Sequence, residues 1–346
     1  MIKNILKILV IINLLFTQET QLGQPHSKFV NLDNDINIIQ LPKLDHNILL
    51  DEDLARPSGS PFRYGYKHKV NYSIKNSGTW LEMSDGRKLW RIAISSQGAY
   101  SIGLEFENFY LPKGSELYVY NSEYETILGA YTYRNNSLSN LFSTPLIKGD
   151  IIFIEYIQPA NTIENISLLI TDVIHDYRDI MKFNNSVRDW ECGVNVICET
   201  EEIYQHPINS VAFLDMGGFI CSGAMINNVK QDLTPYFLTA HHCIEGENPN
   251  TFRFYFNKEA SSCDNTWSSS GPYAYSSNLI ADSNGIHGGD WALLLINDDI
   301  DQDWEVFYSG WDATENYPII SCGVHHPGGT AKKINYDNDV AYGDWW

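Results

Sequence analysis

From residue 79 to about 173 the chain is written in short runs whose apolar residues fall on every second position. Trp90, Ile92 and Ile94 alternate with Arg91 and Ala93, and Ile102, Leu104 and Phe106 alternate with Gly103 and Glu105. A period of two turns one face to a core and the other outward, so these runs are half-buried strands. A turn at 111–114 follows, then apolar runs at 117–120, 127–131 and 151–157. Several short strands with turn signals and no helical period predict a β-sandwich over residues 61–180. Its aromatic residues, among them Trp80, Trp90, Tyr110 and Tyr118, fit sheet packing better than a carbohydrate platform. No acids, histidines or cysteines group into a site there, and 175–178, His-Asp-Tyr-Arg, reads as a solvated junction.

The second half is strand-like again, at 252–256, 291–296 and 306–308, between loops rich in Gly, Ser, Asn and Asp. The expected fold class is therefore all-β. At 346 residues, roughly two domains of about 150 residues are expected. Residues 24–60 are polar, with Pro25, Pro42 and Pro57, and read as a leader or linker; 181–191 are polar and read as a second linker. Lys3 and Lys7 precede an apolar run at 8–16 and a polar stretch at 17–24. That is the pattern of a secretory signal, placed at 1–23, so a secreted protein is expected. No later apolar run is long enough to span a bilayer. A net charge of −20 repels phosphate backbones and anionic surfaces, so no nucleic-acid partner is expected. Export changes the reading of the six cysteines, Cys192, Cys198, Cys221, Cys243, Cys263 and Cys322. In an oxidising compartment they predict disulfides rather than metal or redox chemistry.

The densest chemical signal is Cys221, Ser222, Gly223 followed by 237–243, Phe-Leu-Thr-Ala-His-His-Cys. A strand leads into a small-residue turn that presents histidine. Downstream, Gly288, Gly289 and Asp290 precede the strongly apolar 291–296, which sets a carboxylate where a strand begins. Together with Gly-Trp-Asp at 310–312 and His-His-Pro at 325–327, these segments resemble the lysyl endopeptidase branch of the chymotrypsin-like serine proteases. The resemblance covers essentially all of 192–346, and the upstream sandwich is similar to the propeptide region of related secreted proteases, notably at 104–121.

The resemblance implies an incomplete double β-barrel after the sandwich, a trypsin-like peptidase domain at 192–346, and protein or peptide substrates; it suggests cleavage after lysine, with the preference left open among basic residues and beyond because the selecting pocket would lie past this sequence. It makes His242 the general base and Asp290 the acid that orients it, with His241 a neighbour. In such a triad the imidazole takes the serine proton during attack and returns it to the leaving amine, while the carboxylate fixes the tautomer. It also implies disulfides Cys221–Cys243 and Cys198–Cys263. Cys192 resembles a cysteine whose partner lies beyond this sequence, and Cys322 either pairs with it or stays free. The chain departs from the family at the third member. The nucleophile is expected roughly 90 residues past the acid, whereas only Ser309 and Ser321 lie beyond Asp290, neither in a Gly-x-Ser-Gly setting. The expectation is a truncated precursor, inactive as written and monomeric, needing no cofactor. If the sandwich is a propeptide, cleavage after Lys182 or Arg188 would release the protease part.

Three rival readings fit parts of the same sequence. A zinc site could draw on His241, His242, Cys243, His325 and His326, but adjacent histidines diverge and neither short zinc spacing is present. A secreted adhesion or carbohydrate-binding sandwich is the second. The third, a thiol nucleophile at Cys243, is disfavoured by the disulfide partner that Cys221 offers.

Overall fold

The structure is a computed structural model that describes residues 23–29, 36–181, 193–264, 271–285, 289–314 and 316–340. The signal segment, Lys182, Arg188, Cys192 and Gly288 lie outside the described residues. In chain order the first half runs β1 (Ile38–Gln40), α1 (His46–Leu54), β2 (Phe62–Arg63), β3 (Gly65–Ser73), β4 (Thr79–Glu82), β5 (Lys88–Ser95), β6 (Ser101–Tyr110), β7 (Glu116–Asn121), β8 (Ile127–Tyr131), β9 (Phe142–Ser143), β10 (Ile147–Lys148), β11 (Ile151–Gln158) and β12 (Ser167–Asp176). The second half runs β13 (Val194–Asn195), α2 (Glu202–Ser210), β14 (Val211–Asp215), β15 (Phe219–Ile226), β16 (Tyr236–Thr239), α3 (His241–Ile244), β17 (Arg253–Tyr255), β18 (Tyr273–Tyr275), β19 (Ser277–Asp282), β20 (Ala292–Ile296), β21 (Ser321–His325) and β22 (Lys333–Asp337). The protein is all-β, with short helices only, and among the described residues no helix is long and apolar enough to cross a membrane.

Two sheets form the first half, one ordered β1-β5-β11-β7-β8 with β4 on β5, the other β10-β6-β12-β3 with β9 on β6. The alternation read from the sequence sets their facing sides: Trp90, Ile92, Ile94, Ile102, Leu104 and Phe106 all lie in one buried cluster with Ile152, Ile154, Ile170 and Val173. The outer face of β5 is not solvated as the alternation suggests. Arg91 is buried beside the fully buried Glu155, whose carboxylate also accepts from the Tyr120 hydroxyl and from the backbone N–H of His26. The stretch expected to be a leader or linker thus contributes to the sandwich: residues near His26 cover Glu155, β1 pairs in parallel with β5, and α1 reaches β12 through His46 and His175.

The second half is an antiparallel sheet ordered β18-β17-β14-β15-β16-β20-β19, curled into a half-barrel, with a smaller β13-β22-β21 sheet beside it. Its core holds Leu214, Met225, Phe237, Phe252, Phe254 and Leu294. The two halves share a seam. β2, from the sandwich side, pairs with β15, and Tyr64 and Gly65 both donate their N–H to the Gly218 carbonyl. Beneath it the fully buried Arg253 binds Asp215 through Nε and Nη2 at 3.3 and 3.0 Å and donates from Nη1 to Ser143 of the sandwich at 2.5 Å. The Tyr64 hydroxyl completes the set by donating to Asp215 at 2.8 Å. Burying a charge pair is tolerable only when hydrogen bonds satisfy it, and both halves of the chain supply them here.

Candidate active site

Antiparallel pairing builds the site. β16 pairs with β20 so that Thr239 faces Ala292, and β20 pairs with β19 so that Ala292 faces Asp282. The residues just past the end of β16, His241 and His242, are therefore level with Asp290 just before β20 and with Asp282 at the end of β19. Each histidine meets its own carboxylate: His241 Nδ1 lies 3.0 Å from Asp282 Oδ2, and His242 Nδ1 lies 2.7 Å from Asp290 Oδ2. Asp290 is gripped twice, because the His242 backbone N–H donates to its Oδ1 at 2.9 Å. It sits at φ +50°, a left-handed turn conformation that aspartate tolerates better than most residues.

Partial burial alone would raise the Asp290 carboxyl, but the backbone and side-chain hydrogen bonds from His242 outweigh it and hold the group below the usual carboxylate range. A carboxylate accepting at Nδ1 fixes the proton there and leaves the Nε2 lone pair available. Among the described residues no group hydrogen-bonds Nε2 of His242. The pair is open to solvent, with 28% of the His242 side chain and 33% of Asp290 exposed.

A covalent frame holds this turn. Cys221 on β15 is joined to Cys243 on α3, and Cys198 is joined to Cys263; both bonds are those the resemblance implies. Cys322, partly buried on β21, has no disulfide partner among the described residues, and Cys192, its possible partner, lies outside them. The sulfurs of Cys221 and Cys243 lie close enough to a ring nitrogen of His242 to suggest a metal group. They are spent in the disulfide, so they offer no thiolate, and Cys243 is no nucleophile. His325 and His326 stand elsewhere: His326 is buried, with its N–H on Ser222 Oγ and its ring on the Thr330 carbonyl. Of the serines past the acid, Ser309 is bonded through its backbone to Met225 and Asn227, and Ser321 opens the β21–β22 hairpin. Neither touches His242 among the described residues.

Two readings of the sandwich need correction. The 175–178 junction is not solvated: His175 and Asp176 are wholly buried, Tyr177 nearly so. Histidines do group there, since His46, His68 and His175 lie in one cluster around Ser96. Trp90 and Tyr118 are buried, while Trp80 remains exposed on β4, at a cavity of about 340 Å³ shared with Glu82, Lys88 and Gln158.

A histidine oriented by a carboxylate on a disulfide-framed half-barrel is an arrangement that peptidases can use, and the comparisons with known proteins point the same way. Residues 188–344 match the family model described as lysyl endopeptidase, C-terminal domain. A curated lysyl endopeptidase of Pseudomonas aeruginosa PAO1 is 27% identical over 324 residues, covering 84% of this chain and 67% of that protein. Both findings support a likeness of this chain to the lysyl endopeptidase branch. A solved isomalto-dextranase of Arthrobacter globiformis T6, complexed with panose, aligns at 12% identity over 33% of this chain and 22% of its own, with a TM-score of 0.15, too low to bear on the fold.

Proposed function

We propose that the 192–346 region supplies the base and acid of a serine endopeptidase, His242 and Asp290, in a secreted precursor whose 61–180 sandwich is the propeptide. The observation that carries this reading is the double grip of Asp290 on the Nδ1 and backbone N–H of His242. With Nδ1–H donated to the carboxylate, Nε2 can take the proton of an attacking serine hydroxyl and return it to the leaving amine. The carboxylate stabilises the imidazolium formed between those steps. Peptide bonds after lysine are the expected substrates, by likeness to the named relative.

The nucleophile is not among the described serines, so these residues by themselves are expected not to hydrolyse peptides. A fluorogenic lysyl-peptide assay on the purified chain tests this; turnover abolished by a serine-directed inhibitor overturns it. Proton NMR tests the base–acid pair separately. The reading requires a downfield Nδ1–H signal in the unmodified protein that disappears in Asp290→Asn, and a protein lacking that signal contradicts it.

A further inference from the structure

Helix α1 is held by its two ends and not by an apolar face. Of its nine residues only Leu49 is buried. At its start, His46 Nε2 lies 2.9 Å from Nε2 of the wholly buried His175, whose Nδ1 lies 2.7 Å from Ser96 Oγ. At its end, the Asp53 carboxylate accepts from Arg63 Nε at 2.6 Å, from the Tyr177 hydroxyl at 2.7 Å and from the Arg178 guanidinium. Arg63 belongs to β2 and faces Phe219 of β15, so the anchor of α1 and the seam between the two halves share a residue.

The contact between His46 and His175 accommodates one proton between its two nitrogens. With a single N–H, one imidazole donates and the other accepts, and Ser96 can donate to or accept from Nδ1 accordingly. A second proton places two N–H donors face to face and adds charge that the nearby Asp45 carboxylate only partly offsets. His68 on β3 stacks edge-on, 6.1 Å from the His175 ring, and Tyr66 packs on His68. Tyr100 and Tyr177 border His46. Asp45, at the start of α1, binds the Asn47 N–H, and Asp150 binds the Gly98 N–H. Asp176 turns the other way, to Ser101 and the backbone of Arg178 and Ile180. Among the described residues no carboxylate bonds either imidazole.

We propose that α1 is a pH-operated latch: proton uptake by the His46–His175 pair releases the helix and, through Asp53 and Arg63, loosens the β2–β15 pairing that ties the sandwich to the half-barrel. The sign follows from the direction of both shifts. Burial, with His46 and His68 adding to it, pushes His175 down to about 3, and burial lowers His46 against a smaller opposing pull from Asp45. Because both docked values lie below the ordinary 6.5, the docked state binds fewer protons than the released one. Docking is complete above 6.5 and weakens as pH falls, by up to about tenfold per pH unit for each histidine kept neutral.

Hydrogen exchange on the full chain, corrected for the pH dependence of intrinsic exchange, reads this directly. Protection over 46–54 and 62–65 is expected to fall at least about tenfold between pH 7.5 and 5.5 while β6 and β11 hold theirs. In His46→Gln, whose side chain hydrogen-bonds without titrating, the fall is expected to lose the His46 share and keep only that of His175. Constant protection in the unmodified protein overturns the latch, as does an equal fall in the variant. Should His46→Gln leave α1 unprotected at both pH values, histidine ring signals of the unmodified chain decide. Titration of His46 and His175 in step with the loss of protection supports the latch; titration of either while α1 stays protected overturns it.

Discussion

His175 and His242 make hydrogen bonds of the same length from the same atom, 2.7 Å at Nδ1, and have opposite chemistry. His175 meets a serine hydroxyl at the bottom of a sheet, with another imidazole closing its far side and no solvent in reach. His242 meets a carboxylate just past the end of β16, with its far nitrogen free. A serine–histidine contact taken alone would single out Ser96 and His175, a pair with no acid behind the imidazole and no opening in front of it. What qualifies an imidazole as a base is the acid behind it and the opening in front, because the charged form must be stabilised and the proton must have somewhere to come from.

The largest effect that separates the two is kinetic. In a form of the protein that carries a nucleophile, Asp290→Asn is expected to lower kcat by ~10⁴-fold by inverting the tautomer of His242, whereas His175→Asn leaves kcat unchanged. Steady-state kinetics with a lysyl peptide checks both, and a kcat that survives Asp290→Asn would show that the acid does not work through the imidazole. The covalent frame comes next. The Cys221–Cys243 bond closes a loop with a sequence separation of 22, so replacing both cysteines with serine is expected to cost the half-barrel about 3 kcal/mol in denaturant unfolding. The sandwich has no cysteine and should not respond.

Packing reverses the ranking. His175→Ala removes a wholly buried ring and strands Ser96 and His46, with an expected loss of about 2–3 kcal/mol. His242→Ala, at a part-exposed edge, is expected to stay within about 1 kcal/mol. Equal losses in thermal unfolding would mean that the two sites differ less in burial than their surroundings indicate.

The same difference governs what could be read from the sequence. The β period over 79–173 locates the sandwich strands because each strand carries its own alternation. The turn at His242 and the acid at Asp290 stand out because each sits in a compact local motif, and antiparallel pairing through Thr239 and Ala292 then brings them together. The histidine cluster has no such motif: His46, His68 and His175 come from one helix and two separate strands. Their phase was the available signal. His68 lies in step with Val70 and Tyr72, and His175 in step with Val173, so both fall on the faces of β3 and β12 that turn inward. The buried partners of Arg253 were equally hidden, since Ser143, Asp215 and Tyr64 meet only when the two halves are docked. α1 escaped notice because it has almost no apolar stripe to betray it.

The smallest effect is the slope of stability with pH, and it separates neighbours. His175, held at about 3 against an ordinary 6.5, contributes stability that is complete above 6.5 and lost as pH falls toward 3. Asp176 beside it is pushed by burial up to about 7 from 3.8, so its contribution is complete below 3.8 and lost as pH rises through 7. Between about pH 4.5 and 6 the two slopes oppose each other, each up to about 1.4 kcal/mol per pH unit. Urea unfolding across that window should therefore rise more steeply with pH in Asp176→Asn than in the unmodified protein, and less steeply in His175→Gln. Asp290, whose carboxyl lies below the usual range, titrates under the window, so Asp290→Asn should follow the unmodified slope. If Asp290→Asn changes the slope instead, the acid behind His242 is not the ionised group that its two hydrogen bonds require.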